Sequence, residues 1–201
     1  MKVSVIIPVY NQQELVIKAI DSIPKRDDIE IIVIDDCSTD NTWHNLKVYQ
    51  EANKNINLTL LYNSKNMGVA YTVNRGYDIA KGEYVVLLGS DDYFYTDKFE
   101  KIMQQLDGTD LVYFNLQVNN GDIWKIRNDN KVFCCGSVKF MRREFIGNTR
   151  CPINAKAGED YYFYLELLSK NPSENFTDIT VKHYNYPREN SLSSLRSKGV
   201  I

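Results

Sequence analysis

Basic excess, histidine, paired cysteines and long apolar runs are all scarce in this sequence, and each scarcity removes a class of function. Lysine and arginine total 24 against 26 acidic residues, for a net charge of -2. They form no stripe, so the electrostatic footprint of a nucleic-acid binder is missing. A polybasic membrane anchor is missing too, although Arg188, Arg196 and Lys198 leave the end of the chain mildly basic. With only two histidines, and no C-x-x-C among Cys37, Cys134, Cys135 and Cys151, a zinc site does not fit. A disulfide framework does not suit a chain of this size, and the cysteines read as reduced thiols of a cytosolic protein. No run approaches the ~18–20 apolar residues of a membrane span. The opening MKVSVIIPVYN is too short for a signal core. The expectation is a cytoplasmic protein, with peripheral association at the inner face of the membrane left open.

What remains is an ordinary globular composition, 43% hydrophobic and 25% charged in 201 residues, enough to bury a full core. Tyrosine is over-used, at 14 against 8 phenylalanines. It suits a wet cleft or a sugar platform, and suits half-buried strands equally well.

The order of elements carries more. Val3 to Ile7 is a β-branched run closed by Pro8, and Ile29 to Ile34, Leu58 to Tyr62 and Tyr84 to Leu88 read as further buried strands. Helical spacing falls between them at Glu14–Ile23, Asp40–Ala52 and Val69–Ala80, with a fourth helix at Asp97–Leu106. Strand and helix in this rhythm mean a parallel sheet with right-handed crossovers and helices on both faces. Ligands of such sheets bind beyond the carboxyl ends of the strands. The rhythm then breaks. Strands are expected at Leu111–Asn115 and Ile123–Ile126 around Asn119-Asn120-Gly121, helices at Phe140–Ile146 and Asp160–Ser169, and strands at Thr177–Lys182 and Tyr184–Tyr186. No repeat or linker divides the chain. One α/β domain is expected, dividing into residues 1–95, residues 96–186 and a tail or lid at 187–201.

The polar residues fall where the crevice should be. The first strand ends in Pro8-Val9-Tyr10-Asn11, the second in Asp35-Asp36-Cys37-Ser38-Thr39-Asp40, and the fourth in Gly89-Ser90-Asp91-Asp92. Four leading carboxylates on neighbouring strand ends repel one another unless cations or donors neutralise them. The absence of G-x-G-x-x-G after the first strand argues against a dinucleotide-binding domain, and that of GxxxxGK[ST] against a P-loop NTPase.

Five blocks in order, VSVIIPVYN, IIVIDDCSTDNT, NMGVAYTVNRGYDIAKGEYVVLLGSDD, KFMRREFI and AGEDYYFYLELL, resemble the inverting family 2 glycosyltransferases of the GT-A fold. The resemblance runs from about Val3 to Ser194. It implies a Rossmann-like, mostly parallel sheet with a smaller mixed acceptor-side region. It also implies transfer of a sugar from a nucleoside diphosphate sugar, UDP-linked, to a hydroxyl of a glycan or lipid-linked saccharide in cell-surface polysaccharide synthesis. A divalent metal, Mn2+ or Mg2+, would stabilise the leaving diphosphate as a Lewis acid.

Site residues follow from the same resemblance. Asp92 is the expected metal ligand, and Asp91 contacts ribose or a metal-bound water. Neighbours on an extended strand point to opposite faces, so both meet one ion only if the chain turns there. The family's usual acid two residues before Asp91 is Gly89 here. Asp36 is expected to accept the N3–H of uracil, where cytosine would offer an acceptor and be rejected, and Asp40 to cap the following helix. Pro8, Val9, Tyr10, Asn11, Glu14, Asn66 and Gly68 complete the nucleotide contacts. The family's Arg before the residue matching Asn74 is Val73 here, and Arg75 stands one position later, turned about 100° on the helix; it receives no role. Glu159-Asp160 reads locally as a charged first turn, and by resemblance as the base that takes the acceptor proton, Asp160 leading. His183 can complete a metal shell and Arg188 can hold phosphate; the same residues also read as a surface strand and polar tail. A sugar-nucleotide pyrophosphorylase and a catalytically degenerate relative are the rival readings. The first would want a glycine-rich basic loop where Val9-Tyr10-Asn11-Gln12-Gln13 stands.

Overall fold

Strand β1 (Val3–Val9) organises the sheet, because its alternation puts apolar side chains on both faces. Val3, Val5, Ile7 and Val9 enter one hydrophobic cluster, and Ile6 enters another on the opposite side. All are at most 3% exposed, and complete burial of such side chains is worth roughly 1.5–3 kcal/mol each. The computed structural model describes residues 1–127, 136–155 and 158–187.

β1 pairs in parallel with β2 (Ile29–Asp35) on one side and with β4 (Tyr84–Leu87) on the other, and β2 pairs in parallel with β3 (Leu58–Tyr62). The chain thus runs outward from β1 to β3 and returns on the far side of β1. That reversal opens a crevice at the carboxyl ends of β1 and β4. Helices α1 (Val16–Asp21), α2 (Thr42–Ala52) and α4 (Thr96–Met103) pack on one face through Val16, Ala19, Ile20, Leu46, Phe99 and Ile102. Helices α3 (Val69–Ile79) and α6 (Glu159–Ser169) cover the other through Val73, Tyr77, Phe163 and Leu167.

Beyond β4 the sheet becomes mixed. Its order is β3-β2-β1-β4-β8-β6-β9-β5, with β7 (Ile123–Trp124) paired to β6 (Leu111–Val118). β8 (Lys139–Arg142) lies antiparallel between β4 and β6; β9 (Glu174–Tyr184) runs parallel to β6 and antiparallel to β5 (Tyr93–Phe94). Three expectations need correction. Phe140–Arg142 is strand, with only Arg143–Ile146 helical as the single turn α5. Phe140 joins one cluster and Met141 the other, a two-residue period that a helix cannot satisfy. The two expected C-terminal strands are one, β9, whose pairing slips twice between Tyr113 and Leu116. β5, two residues long, was not expected at all. The mostly parallel sheet with a smaller mixed region matches the architecture expected from sequence. Apart from Pro187, the expected tail lies outside the described residues, as do Cys134 and Cys135.

Candidate functional site

The two loops at the ends of β1 and β2 are stitched together. Asn11, at φ 51°, donates its N–H to Ser38 Oγ at 2.9 Å and accepts the Thr39 N–H on Oδ1 at 2.8 Å. Gln12 N–H reaches Thr42 Oγ1 at 2.9 Å, and Gln13 N–H reaches Asp40 Oδ2 at 3.2 Å. Asp40 also accepts the first helical N–H, that of Thr42, at 2.9 Å; it does so from one residue before the formal cap, Asn41. Burial pulls the Asp40 carboxyl upward, but the donors of Thr42 and Gln13 outweigh it and hold its pKa below the ordinary value. Val9 is buried and carries the Asp36 N–H on its carbonyl at 2.8 Å. Pro8 is half-buried, and Tyr10 and Glu14 are exposed.

Asp35 and Asp36 face opposite sides of β2 and lead different lives. Asp35 is fully buried, takes the Ser38 N–H at 3.0 Å and the Ser38 hydroxyl on Oδ1, and among the described residues has no partner on Oδ2. Burial raises its pKa, Ser38 opposes the shift, and the charges of Asp40 and Asp36 add to it. Asp36, 4% exposed, receives Asn63 Nδ2–H at 2.7 Å and Met67 N–H at 2.8 Å on Oδ1, and Gly68 N–H at 2.7 Å on Oδ2. Oδ1 is full; Oδ2 keeps one lone pair. Gly68 also faces Asn66 Oδ1 at 3.2 Å, and its φ of 83° is the left-handed turn that delivers this N–H and opens α3. Arg75, given no role from sequence, donates to the carbonyl of Tyr62 at 3.0 Å and to Asn63 Oδ1, bracing the amide that binds Asp36.

The third strand end is a tight turn. Asp92 N–H bonds the Gly89 carbonyl at 3.0 Å, so Asp91 and Asp92 are not held on opposite faces. A β-carbon at Gly89 would stand 2.7 Å from Asp92 Oδ2 and 3.1 Å from Asp91 Oδ1, which places both carboxylates over the same point. Asp92 is 4% exposed. Its Oδ2 accepts Lys182 Nζ at 3.2 Å and its Oδ1 accepts the Asn185 N–H at 2.9 Å. Lys182, 2% exposed, also donates to Ser137 Oγ at 2.6 Å.

His183 does not join Asp92. As Lys182's neighbour on β9 it points to the other face, stacks on Tyr93 at 4.5 Å between ring centres, and meets Asn119 Oδ1 through Nε2 at 2.9 Å and the Tyr95 hydroxyl through Nδ1 at 3.4 Å. The alternation of a strand is the physical reason. Among the described residues no three His, Cys, Asp or Glu side chains form a group suited to a metal ion. Arg188 lies outside the described residues.

A pocket of about 220 Å³ joins the ends of β1 and β4 to the remaining acidic pair. Pro8 and Gly89 line it from β1 and the β4 turn, Val73 and Tyr77 from α3, and Glu159 and Asp160 from the start of α6. Gly158, at φ 76°, starts α6 without a side-chain cap. Asp160 is exposed and accepts its neighbour's N–H, that of Tyr161, at 2.9 Å; Glu159 is half-buried. Cys151 lies beneath the pair, and burial together with the charges of Asp160 and Glu159 pushes its thiol pKa up to about 12. It is therefore no nucleophile at neutral pH. Asn74 holds this segment by donating to the Cys151 carbonyl and accepting its N–H, both at 2.8 Å.

Residues 4–163 match the family described as glycosyl transferase family 2. The chain belongs to that family. Among curated relatives of this family 2 chain, a poly(ribitol-phosphate) beta-glucosyltransferase of Bacillus spizizenii is 29% identical over 85% of the chain and 30% of its own length. The UDP-Glc:alpha-D-GlcNAc-diphosphoundecaprenol beta-1,3-glucosyltransferase WfaP of Escherichia coli is 27% identical over 99% and 82%. The chain spans 66%, 56% and 30% of the length of three such relatives. S. aureus TarS 1-349 in complex with UDP-GlcNAc superposes with a TM-score of 0.81 at 23% identity, over 96% of the chain and 61% of that structure. The mannosyltransferase PcManGT from Pyrobaculum calidifontis, in complex with GDP-Man and Mn2+, gives 0.74 at 20% identity, over 94% and 58%. These likenesses establish the fold.

The structure therefore gathers Pro8, Glu159 and Asp160 around one pocket, and ties Asp36 to the loop of Asn66 and Gly68 that leads into its α3 wall. Sequence reasoning passed over Lys182, Ser137 and Asn63, and gave Arg75 no role. Lys182 carried no clear signal, since Asp178 and Thr180 share its alternation on β9 and a lysine there reads as a solvated side chain.

Proposed function

We propose that this chain is an inverting glycosyltransferase that moves a sugar from a UDP-sugar to a hydroxyl of a glycan or lipid-linked saccharide in cell-surface polysaccharide synthesis. The observation that carries the reading is the single pocket bounded by the β1 and β4 ends on one side and by Glu159-Asp160 on the other. A donor held at the strand ends would present its C1 toward the acidic pair. The relatives agree with a UDP donor: WfaP is named for UDP-Glc and a diphosphoundecaprenol-linked acceptor, and TarS was captured with UDP-GlcNAc. PcManGT, captured with GDP-Man, marks the alternative base. No helix among the described residues is long and apolar enough to cross a membrane, and the cytoplasmic, inner-face setting expected from sequence belongs to the same proposal.

Each residue has a part. The open lone pair of Asp36 Oδ2 accepts the uracil N3–H, with the Pro8–Asn11 loop and Tyr10 beside the base. Asp91 takes the ribose. Asp160 accepts the acceptor hydroxyl proton while the new C1–O bond forms and the bond to the diphosphate breaks, with Glu159 beside it. A resident Mn2+ or Mg2+ does not fit the residues present. Asp92 already carries the buried Lys182 ammonium on Oδ2, which would repel a second cation, and His183 faces away.

Thermal shift tests the donor reading. Ligand at a hundredfold excess over Kd stabilises a fold by about 2.7 kcal/mol, or roughly 5–10 °C for a chain of this size. UDP should give such a shift and CDP much less; equal shifts would remove Asp36 as the base reader.

A further inference from the structure

The cation at the acidic turn is already part of the chain. We infer that the Lys182 ammonium is the resident counter-ion of Asp92, and that it lets this pocket bind a nucleoside diphosphate without a divalent ion. The inference rests on the reading of the pocket as a nucleoside diphosphate sugar site.

Three observations carry it. First, Lys182 Nζ and Asp92 Oδ2 stand 3.2 Å apart with side chains only 2% and 4% exposed, so the pair is shielded from water and from salt. Second, each member of the pair has further partners. Asn185 N–H reaches Asp92 Oδ1, Ser137 takes a second ammonium hydrogen, and the Tyr184 ring lies 5.3 Å from Nζ. A metal drawing Asp92 away would strand the Lys182 charge in the interior with one hydroxyl and a ring face, which buried charges do not tolerate. Third, the side chain is connected to the pocket. Ser137 lines it together with Gly89. Because a lysine only donates, Ser137 Oγ accepts from Lys182 and keeps its own hydrogen to give away. That hydrogen, polarised by the ammonium, is a donor for a phosphate oxygen.

Gly89 fits the same arrangement. Any side chain there would press on Asp92 Oδ2, so the turn has no room for a third carboxylate while Asp92 is held by Lys182. Lys182 is therefore a positioning residue that neutralises Asp92 and orients Ser137.

The test is calorimetric titration of the full chain with UDP in EDTA and in millimolar Mn2+, beside electron paramagnetic resonance of Mn2+ alone. The wild-type Kd for UDP should change by less than about threefold between buffers, and Mn2+ alone should show no saturable site. Lys182→Met should weaken UDP binding about tenfold or more in EDTA and recover it with Mn2+, because the ion can then replace the ammonium at Asp92. Lys182→Arg, which keeps the charge if the methionine variant does not fold, should bind UDP without metal. Wild-type affinity that rises more than about tenfold with Mn2+, or wild-type affinity in Lys182→Met under EDTA, would overturn the inference. Absence of binding by UDP, GDP and CDP in either buffer would instead remove the nucleotide reading beneath it.

Discussion

Asp91-Asp92, in the turn whose Gly89 lines the pocket, and Glu159-Asp160, on the pocket wall, are the same two-acid pattern in opposite surroundings. The first closes the turn after β4, where Asp92 is buried and held by Lys182 and Asn185. The second opens α6 after a left-handed glycine, with Asp160 exposed and Glu159 half-buried. A buried and neutralised carboxylate holds structure and charge in place, whereas an accessible one can exchange a proton with a substrate. The difference teaches that adjacency of acids says little about role. What decides is which donors the fold supplies.

That contrast can be broken by substitution. Removing one member of a buried ion pair typically costs about 3–5 kcal/mol, because the other charge is left unpaired. Asp92→Asn should therefore lose stability of that order in chemical denaturation, while Glu159→Gln, at the accessible pair, should stay within about 0.5 kcal/mol. Comparable losses at both positions would erase the distinction. The Lys182→Met titration sharpens the same point from the cation side.

A smaller effect separates two acids at the β2 end by sign. Asp40 has a pKa held below the ordinary 3.8, so its stabilisation is present above that value and lost as pH falls through the lowered one. Asp35 has a raised pKa, so its contribution is present below 3.8 and lost as pH rises through the raised one. The stability gap between parent and Asp40→Asn should widen with rising pH, and that between parent and Asp35→Asn should shift the other way. Urea midpoints measured across the acid range give both slopes; slopes of one sign would contradict either the dominance of burial at Asp35 or that of the Thr42 and Gln13 donors at Asp40.

The first half of the fold was legible because its strands are long β-branched runs, and their polar ends could be read as a crevice from the parallel rhythm alone. The second half was not. The Phe140-Met141 segment is short and buried on both faces, so neither a helical nor a strand period stands out, and β5 is too short to show any. In the site, the acidic turn and the Glu159-Asp160 start were visible as motifs, but their environments were not, since Lys182 arrives from a strand 90 residues later in sequence. Arg75 looked displaced by a helical step; in the folded chain its length lets it reach Tyr62 and Asn63 on the neighbouring strand end.

The most direct test of the account is turnover of a UDP-sugar by Asp160→Asn, followed as UDP release with acceptor present, alongside calorimetric binding of UDP. The account predicts a loss of about 10²–10⁴-fold in turnover, the usual contribution of a general base, with the UDP Kd within about twofold of the parent. Unaltered turnover in Asp160→Asn would contradict it.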